Sequence, residues 1–140
     1  HSMGGFVAMD LAVRYPGAID KLILVSTSIS NSKRNDALFS DWVSTLESGM
    51  DKMQWFRSIF YWLFTEQFFE NRDVVDTAVR YMVDYPYPQS EVAFRKQVEA
   101  ITGFDYFEQL SGITAKTLVI SGQEDIIFSP AASSSLAEAI

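Results

Sequence analysis

Two short runs of uninterrupted apolar residues stand near the ends of the chain, and between them lies a long stretch with a different rhythm. Lys21-Leu22-Ile23-Leu24-Val25-Ser26 and Thr117-Leu118-Val119-Ile120-Ser121 carry no polar alternation. Runs this short and this apolar predict strands of a parallel sheet buried on both faces. Phe6 to Tyr15 repeats with a helical period, Val7, Ala8, Leu11 and Ala12 sharing one face, and Pro16-Gly17 stops it. In the middle stretch, Ser40 to Ser48 predicts a helix, with Ser44 and Glu47 spaced as a capping box. Asp51 to Phe69 is densely aromatic, and Asp73 to Asp84 carries an amphipathic stripe of Val74, Val75, Ala78, Val79, Met82 and Val83. Pro86 and Pro88 interrupt, Ser90 caps a helix running to about Ile101, and Asp105 to Leu110 makes a short turn. Ser129-Pro130 sets the cap and first position of a last helix.

This order predicts an α/β chain in three parts: scaffold over residues 1–30, a helical insertion over 31–111, and scaffold again over 112–140. Composition narrows the chemistry. The 140 residues are 48% hydrophobic, enough for a packed core. A net charge of −7 disfavours a nucleic-acid partner, because like charges repel the phosphate backbone. Cysteine is absent and the one histidine is His1, which excludes thiolate and histidine-cluster metal sites. No apolar stretch reaches the ~18 residues of a membrane span, so no membrane partner is expected. The absence of an opening signal peptide points to a cytoplasmic protein. The first residue is not Met and Ile140 falls inside a predicted helix, so both ends look cut.

Ser2 is the candidate nucleophile. A serine hydroxyl needs a base within hydrogen-bond reach and donors for the developing oxyanion. A sharp strand-to-helix turn lifts the hydroxyl clear of the sheet and brings the next backbone N–H, here that of Met3, to the oxyanion. Small neighbours are needed at such a turn, and Gly4 and Gly5 supply them. The alternative origin of His1-Ser2-Met3, a remnant of an expression tag, sits poorly with the helix, Pro-Gly turn and strand that follow.

Ser-x-Gly-Gly ahead of an amphipathic helix and a buried strand resembles the nucleophile elbow of the α/β-hydrolases, whose motif is Gly-x-Ser-x-Gly, very often Gly-His-Ser-Met-Gly-Gly. The chain starts at the second position of that motif. The resemblance covers nearly the whole chain and implies the C-terminal part of an α/β-hydrolase fold, with a helical cap inserted in its parallel-sheet scaffold. It makes Asp125, in Gly122-x-x-Asp125 after a late strand, the acid that orients the catalytic histidine, with Glu124 its neighbouring rival. It puts that histidine beyond Ile140 and the first oxyanion donor upstream of Ser2, and leaves His1 as the variable residue of the elbow. The insertion, with Trp62-Leu63-Phe64-Thr65, Arg95-Lys96-Gln97 and Phe104-Asp105, looks most like bacterial esterases and lactonases related to 3-oxoadipate enol-lactonase. Lys116 departs from the proline usual there.

The family implies no cofactor, no metal, and a small carboxylic ester or lactone as substrate, attacked through an acyl-enzyme on Ser2. A C–C bond hydrolase of the same fold and a non-catalytic ligand-binding relative are the rivals. The insertion's aromatics either pack its own core or line a pocket, with Trp62 and Phe64 the pocket candidates.

Overall fold

The computed structural model describes residues 1–140, which divide into two compact units: His1–Lys33 with Ile101–Ile140, and Arg34–Ala100.

In the first unit, β1 (Lys21–Val25) and β2 (Lys116–Ile120) pair in parallel, from Lys21 opposite Lys116 to Val25 opposite Ile120. The Lys116 N–H also donates to the Asp20 carbonyl at 3.3 Å, a bond proline could not make. Helix α1 (Met3–Arg14) packs on β1, the last helix (Pro130–Ala139) packs on β2, and a 3-10 helix (Phe107–Gly112) touches both helices. Those three elements therefore form one layer on one side of the sheet. Met9, Leu24, Leu110 and Leu136 are fully buried in this unit.

Two expectations, the burial of the strands and the buried face of α1, are corrected here. The strands are not buried on both faces: Leu22 and Leu24 are covered, whereas Ile23 is 61%, Leu118 54% and Ile120 44% exposed. The helical layer covers one face only, so the period-two pleat separates the apolar run into two environments. In α1 the buried face is Phe6, Met9 and Ala12, while Val7 and Leu11 are exposed. The sheet-containing unit takes in residues 101–111 as well. Residues 101–111 belong to it because Phe104 stacks on Phe6, Ser30 and Asp105 form an antiparallel bridge, and Tyr106 donates a hydrogen bond to Asp10.

The second unit is helical. In chain order its elements are α2 (Lys33–Glu47), α3 (Lys52–Leu63), α4 (Glu66–Phe69), α5 (Arg72–Val83) and α6 (Glu91–Ile101), which makes the last helix of the chain α7. Helix α2 starts seven residues before Ser40, and Ser44 donates to the Ser40 carbonyl inside it instead of capping. Gly49, at φ 82°, takes the left-handed conformation just beyond α2, as a helix C-terminus favours. Asp51, Asn71 and Ser90 cap α3, α5 and α6 by accepting backbone N–H groups.

Two apolar clusters hold this unit together. One gathers Leu46, Trp55 and Ile59 with Trp42 and Phe94. The other gathers Phe60, Val75 and Val79 with Phe68 and Phe69. The α5 stripe is narrower than its sequence suggests, since Val74 and Met82 are exposed. No helix of the chain is long and apolar enough to cross a membrane.

Candidate active site

Ser2 sits where extended backbone turns into a helix. Its N–H donates to the carbonyl of Val25, the last residue of β1, at 3.0 Å, as a neighbouring strand would. One residue later α1 begins, and the carbonyls of His1 and Ser2 accept the N–H groups of Gly4 and Gly5 at 2.9 and 2.7 Å. To make that change of direction Ser2 adopts φ 50° and ψ −130°, outside the regions open to L-residues. Such a conformation costs on the order of 1–3 kcal/mol and persists only where its surroundings enforce it.

The strain has a chemical consequence. A serine at a helix N-cap normally spends its hydroxyl on a backbone N–H of the first turn. Ser2 occupies that position, yet its side chain makes no capping bond. Met3, the first helical residue, has an N–H with no intrahelical acceptor. The half-buried Ser2 and an N–H without an intrahelical acceptor are thus neighbours along the chain at the positive end of α1.

The two glycines behave differently. A Cβ on Gly5 would lie 2.6 Å from Thr27 Oγ1 and 2.7 Å from Thr27 Cβ, so this position admits no side chain as packed. A Cβ on Gly4 would meet nothing within 4 Å. The close approach expected of both belongs to Gly5, and its partner is the buried Thr27 just past β1.

Asp125 lies at the same edge of the sheet. Val25 and Ile120 are paired as the last residues of β1 and β2, and the loop carrying Asp125 leaves β2 directly. The backbone at Ser2, β1 and β2 are therefore side by side, and two strand spacings of ~4.8 Å separate the outer two. The Asp125 N–H donates to the Gly122 carbonyl at 3.3 Å. Its Oδ1 accepts the N–H groups of Ile127 and Phe128 at 3.0 and 2.8 Å, which fixes the carboxylate and leaves Oδ2 open. Glu124 is exposed. Ser129 then caps α7, accepting the Ala132 N–H at 3.3 Å.

Ser26 was not singled out by sequence reasoning. It follows β1, has φ 45°, and donates its N–H to the Ile120 carbonyl at 2.9 Å. Ser2 and Ser26 are the non-glycine residues with positive φ, and both stand at the carboxyl ends of the strands, where open α/β sheets place their ligands. No periodicity or composition signal marks Ser26. His1 is exposed and adjoins Ser2 along the chain.

In the helical unit, Trp62 and Phe64 fall at the end of α3. Trp62 is half-buried, with the Arg34 guanidinium 5.9 Å from its ring centroid. Phe64 is 41% exposed and stacks on Phe68 at 4.1 Å, with Phe60 edge-on at 4.8 Å.

Over residues 1–140 the sequence matches the family described as serine aminopeptidase, S33. The chain belongs to that family. Its members share the α/β-hydrolase fold, and the likeness extends to solved structures. A hydrolase from Pseudomonas aeruginosa PA01 aligns with a TM-score of 0.83 at 23% identity, over 99% of this chain and 51% of that one. The enol-lactonase from Burkholderia xenovorans LB400 aligns with a TM-score of 0.78 at 26% identity, again over 99% and 51%. In sequence, the pimeloyl-[acyl-carrier protein] methyl ester esterase of Nitrosospira multiformis is 29% identical over 135 residues, 94% of this chain and 51% of that protein. The chain spans about half the length of the curated relatives it matches.

Proposed function

We propose that the protein containing this chain is a serine hydrolase acting on small carboxylic esters or lactones, with Ser2 as nucleophile. The observation that carries the reading is the strained turn at Ser2. There the Ser2 side chain makes no capping bond, and the N–H of Met3, next along the chain, has no intrahelical acceptor.

The chemistry follows from those groups. Ser2 Oγ attacks the carbonyl carbon and gives up its proton to a histidine base. The carbonyl oxygen gains negative charge, which the Met3 N–H and the positive end of α1 stabilise. When the C–O bond breaks, the histidine returns the proton to the leaving alkoxide, and the acyl group stays on Ser2. Water, deprotonated by the same histidine, releases the acid. Asp125, held through Oδ1, offers Oδ2 to the histidine, keeping one tautomer and stabilising its charged form. The base is assigned to a histidine outside residues 1–140, since His1, the one histidine here, is exposed and directly precedes Ser2 along the chain.

The ester or lactone class is supported by the names of two relatives, a methyl ester esterase and an enol-lactonase. The helical unit acts as a cap that selects substrates, and Trp62 and Phe64 offer it the apolar surface such sites need.

The test is labelling of the full-length protein with a fluorophosphonate. The expected product is a single adduct that maps to Ser2 and disappears in Ser2→Ala. An adduct on another serine, or none on a folded protein, refutes the assignment.

A further inference from the structure

The acid and the nucleophile are joined by more than the sheet. Asp125 Oδ1 accepts the N–H of Phe128, and the Phe128 side chain is buried. Its ring meets the ring of Phe6 edge-on, with centroids 5.9 Å apart and planes at 85°. Phe6 is itself buried, and it lies four residues after Ser2 in the first turns of α1. On its other side Phe6 stacks on Phe104 at 4.3 Å and 19°. Phe104 stacks in turn on Tyr106 at 4.8 Å and 1°. The Tyr106 hydroxyl donates to Asp10, which is one helical turn beyond Phe6 in α1 and also accepts from Arg14. The stack therefore returns to the helix it started from, and Phe6 cannot shift along the helix axis without moving Asp10.

We propose that Phe6 is a positioning residue: held between Phe104 and Phe128, its ring fixes the spacing between the nucleophile turn at Ser2 and the carboxylate of Asp125. The proposal rests on Ser2 and Asp125 being nucleophile and acid. Aromatic rings suit this role because they are stiff. Edge-to-face and stacked contacts hold both distance and angle, whereas a flexible aliphatic chain fills the same space in several rotamers. A base that must reach Ser2 and Asp125 at once tolerates little error, and a misplacement of about 1 Å can cost about 10²-fold in rate.

A purely structural role for Phe6 lowers stability but does not depend on what stands at position 125. The experiment is a double-mutant cycle in the full-length protein, assayed on a short-chain activated ester, with Phe6→Leu, Asp125→Asn and both together. Phe6→Leu alone is expected to lower kcat by about tenfold or more, with KM changed less than twofold and cooperative melting kept. In the Asp125→Asn background the same change is expected to lower kcat less than twofold, because the acid is already lost. Equal losses in the two backgrounds overturn the proposal and leave the nucleophile and acid standing. A loss under tenfold for Asp125→Asn alone, or activity surviving in Ser2→Ala, refutes the underlying assignment instead. Phe128→Leu repeats the cycle from the other end of the contact if Phe6→Leu fails to fold. Failure of both to fold overturns the proposal, since the stack is then core packing and nothing more.

Discussion

The two compact units treat backbone strain in opposite ways. The sheet-containing unit holds both non-glycine residues with positive φ, Ser2 and Ser26, at the carboxyl edge of its strands. The helical unit needs a left-handed residue once, just beyond α2, and uses Gly49. Its helices are capped by Asp51, Asn71 and Ser90, side chains with a local reason to be there. At those three helix starts local preference and the observed structure agree. They disagree at Ser2, where glycine would fit more easily and a serine is kept. Departures of this kind gather at functional sites because folding alone gives no reason to keep them.

The largest effect that bears on this contrast is catalytic. Asp125→Asn in the full-length protein is expected to reduce kcat on esters by about 10⁴-fold, the loss that follows when a triad histidine keeps the wrong tautomer. Asn keeps the Oδ1 acceptor for Ile127 and Phe128, so the melting curve should stay near that of the parent. Phe64→Ala in the helical unit should change the ranking of acyl groups while activity on the best ester stays within tenfold. Steady-state kinetics on a small ester panel separates the two. If Phe64→Ala abolished turnover on all esters alike in a folded protein, the helical unit would carry chemistry and the contrast would fail. An Asp125→Asn loss under tenfold would shift the acid's role to Glu124 or another carboxylate.

The next effect is on stability, at the glycine that lets α1 pass Thr27. Gly5→Ala places a Cβ 2.6–2.7 Å from three atoms of the Thr27 side chain. Overpacking of this sort costs about 1–3 kcal/mol, and the upper end is expected because Thr27 Cβ is close to the backbone and cannot swing away. Gly4→Ala, with open space at its Cβ, should be near neutral or mildly stabilising. In Gly5→Ala/Thr27→Ala part of the loss should return, since two of the three clashing atoms are gone and one stays. Urea unfolding of the four proteins gives the numbers. A Gly5→Ala protein as stable as the parent would mean that the helix and the loop after β1 have slack.

What the sequence made legible was local. The two apolar strand runs, the Ser90 and Ser129 caps and the α5 helix each carry their signal within a few residues. The Ser-x-Gly-Gly pattern is likewise short and local, and Ser2 stands there at a sharp turn into α1 with φ 50° and ψ −130°. Choices that depend on distant partners were not legible. Helix α1 is apolar nearly all round, so its period could not tell the Phe6-Met9-Ala12 face from the Val7-Leu11 face. The stack of Phe6 with Phe104 and Phe128 joins residues about a hundred positions apart and leaves no trace in any window. Gly4 and Gly5 look alike in sequence, and only the position of Thr27 distinguishes them. Ser44 and Glu47 have capping-box spacing, but α2 begins upstream at Lys33, directly after Ser32 and with Asp36 in its first turn, so Ser44 lies inside it.

The smallest effect belongs to the helical unit and concerns pH. The Arg57 side chain on α3 donates to Asp76 Oδ1 on α5, and Arg72 lies 3.9 Å from Oδ2. The hydrogen bond from Arg57 is the largest influence holding the Asp76 carboxyl below its usual value of 3.8; burial opposes it, and the charges of Arg57, Arg72 and Arg80 each add a smaller lowering effect. A carboxyl that is more acidic in the folded than in the unfolded chain stabilises the fold while it is ionised. That contribution is complete above the unfolded value near 4 and is lost as pH falls through the lower folded one. Asp76→Asn should therefore melt slightly below the parent at pH 7, and the gap should close as the pH is lowered below 4. The change is expected to be small because both side chains are partly exposed and solvent screens the pair. Salt at 1 M should narrow the gap at pH 7, where the Debye length falls to about 3 Å. A gap that persists unchanged at pH 3 would show that Asp76 matters through packing between α3 and α5, and its charge would then be incidental.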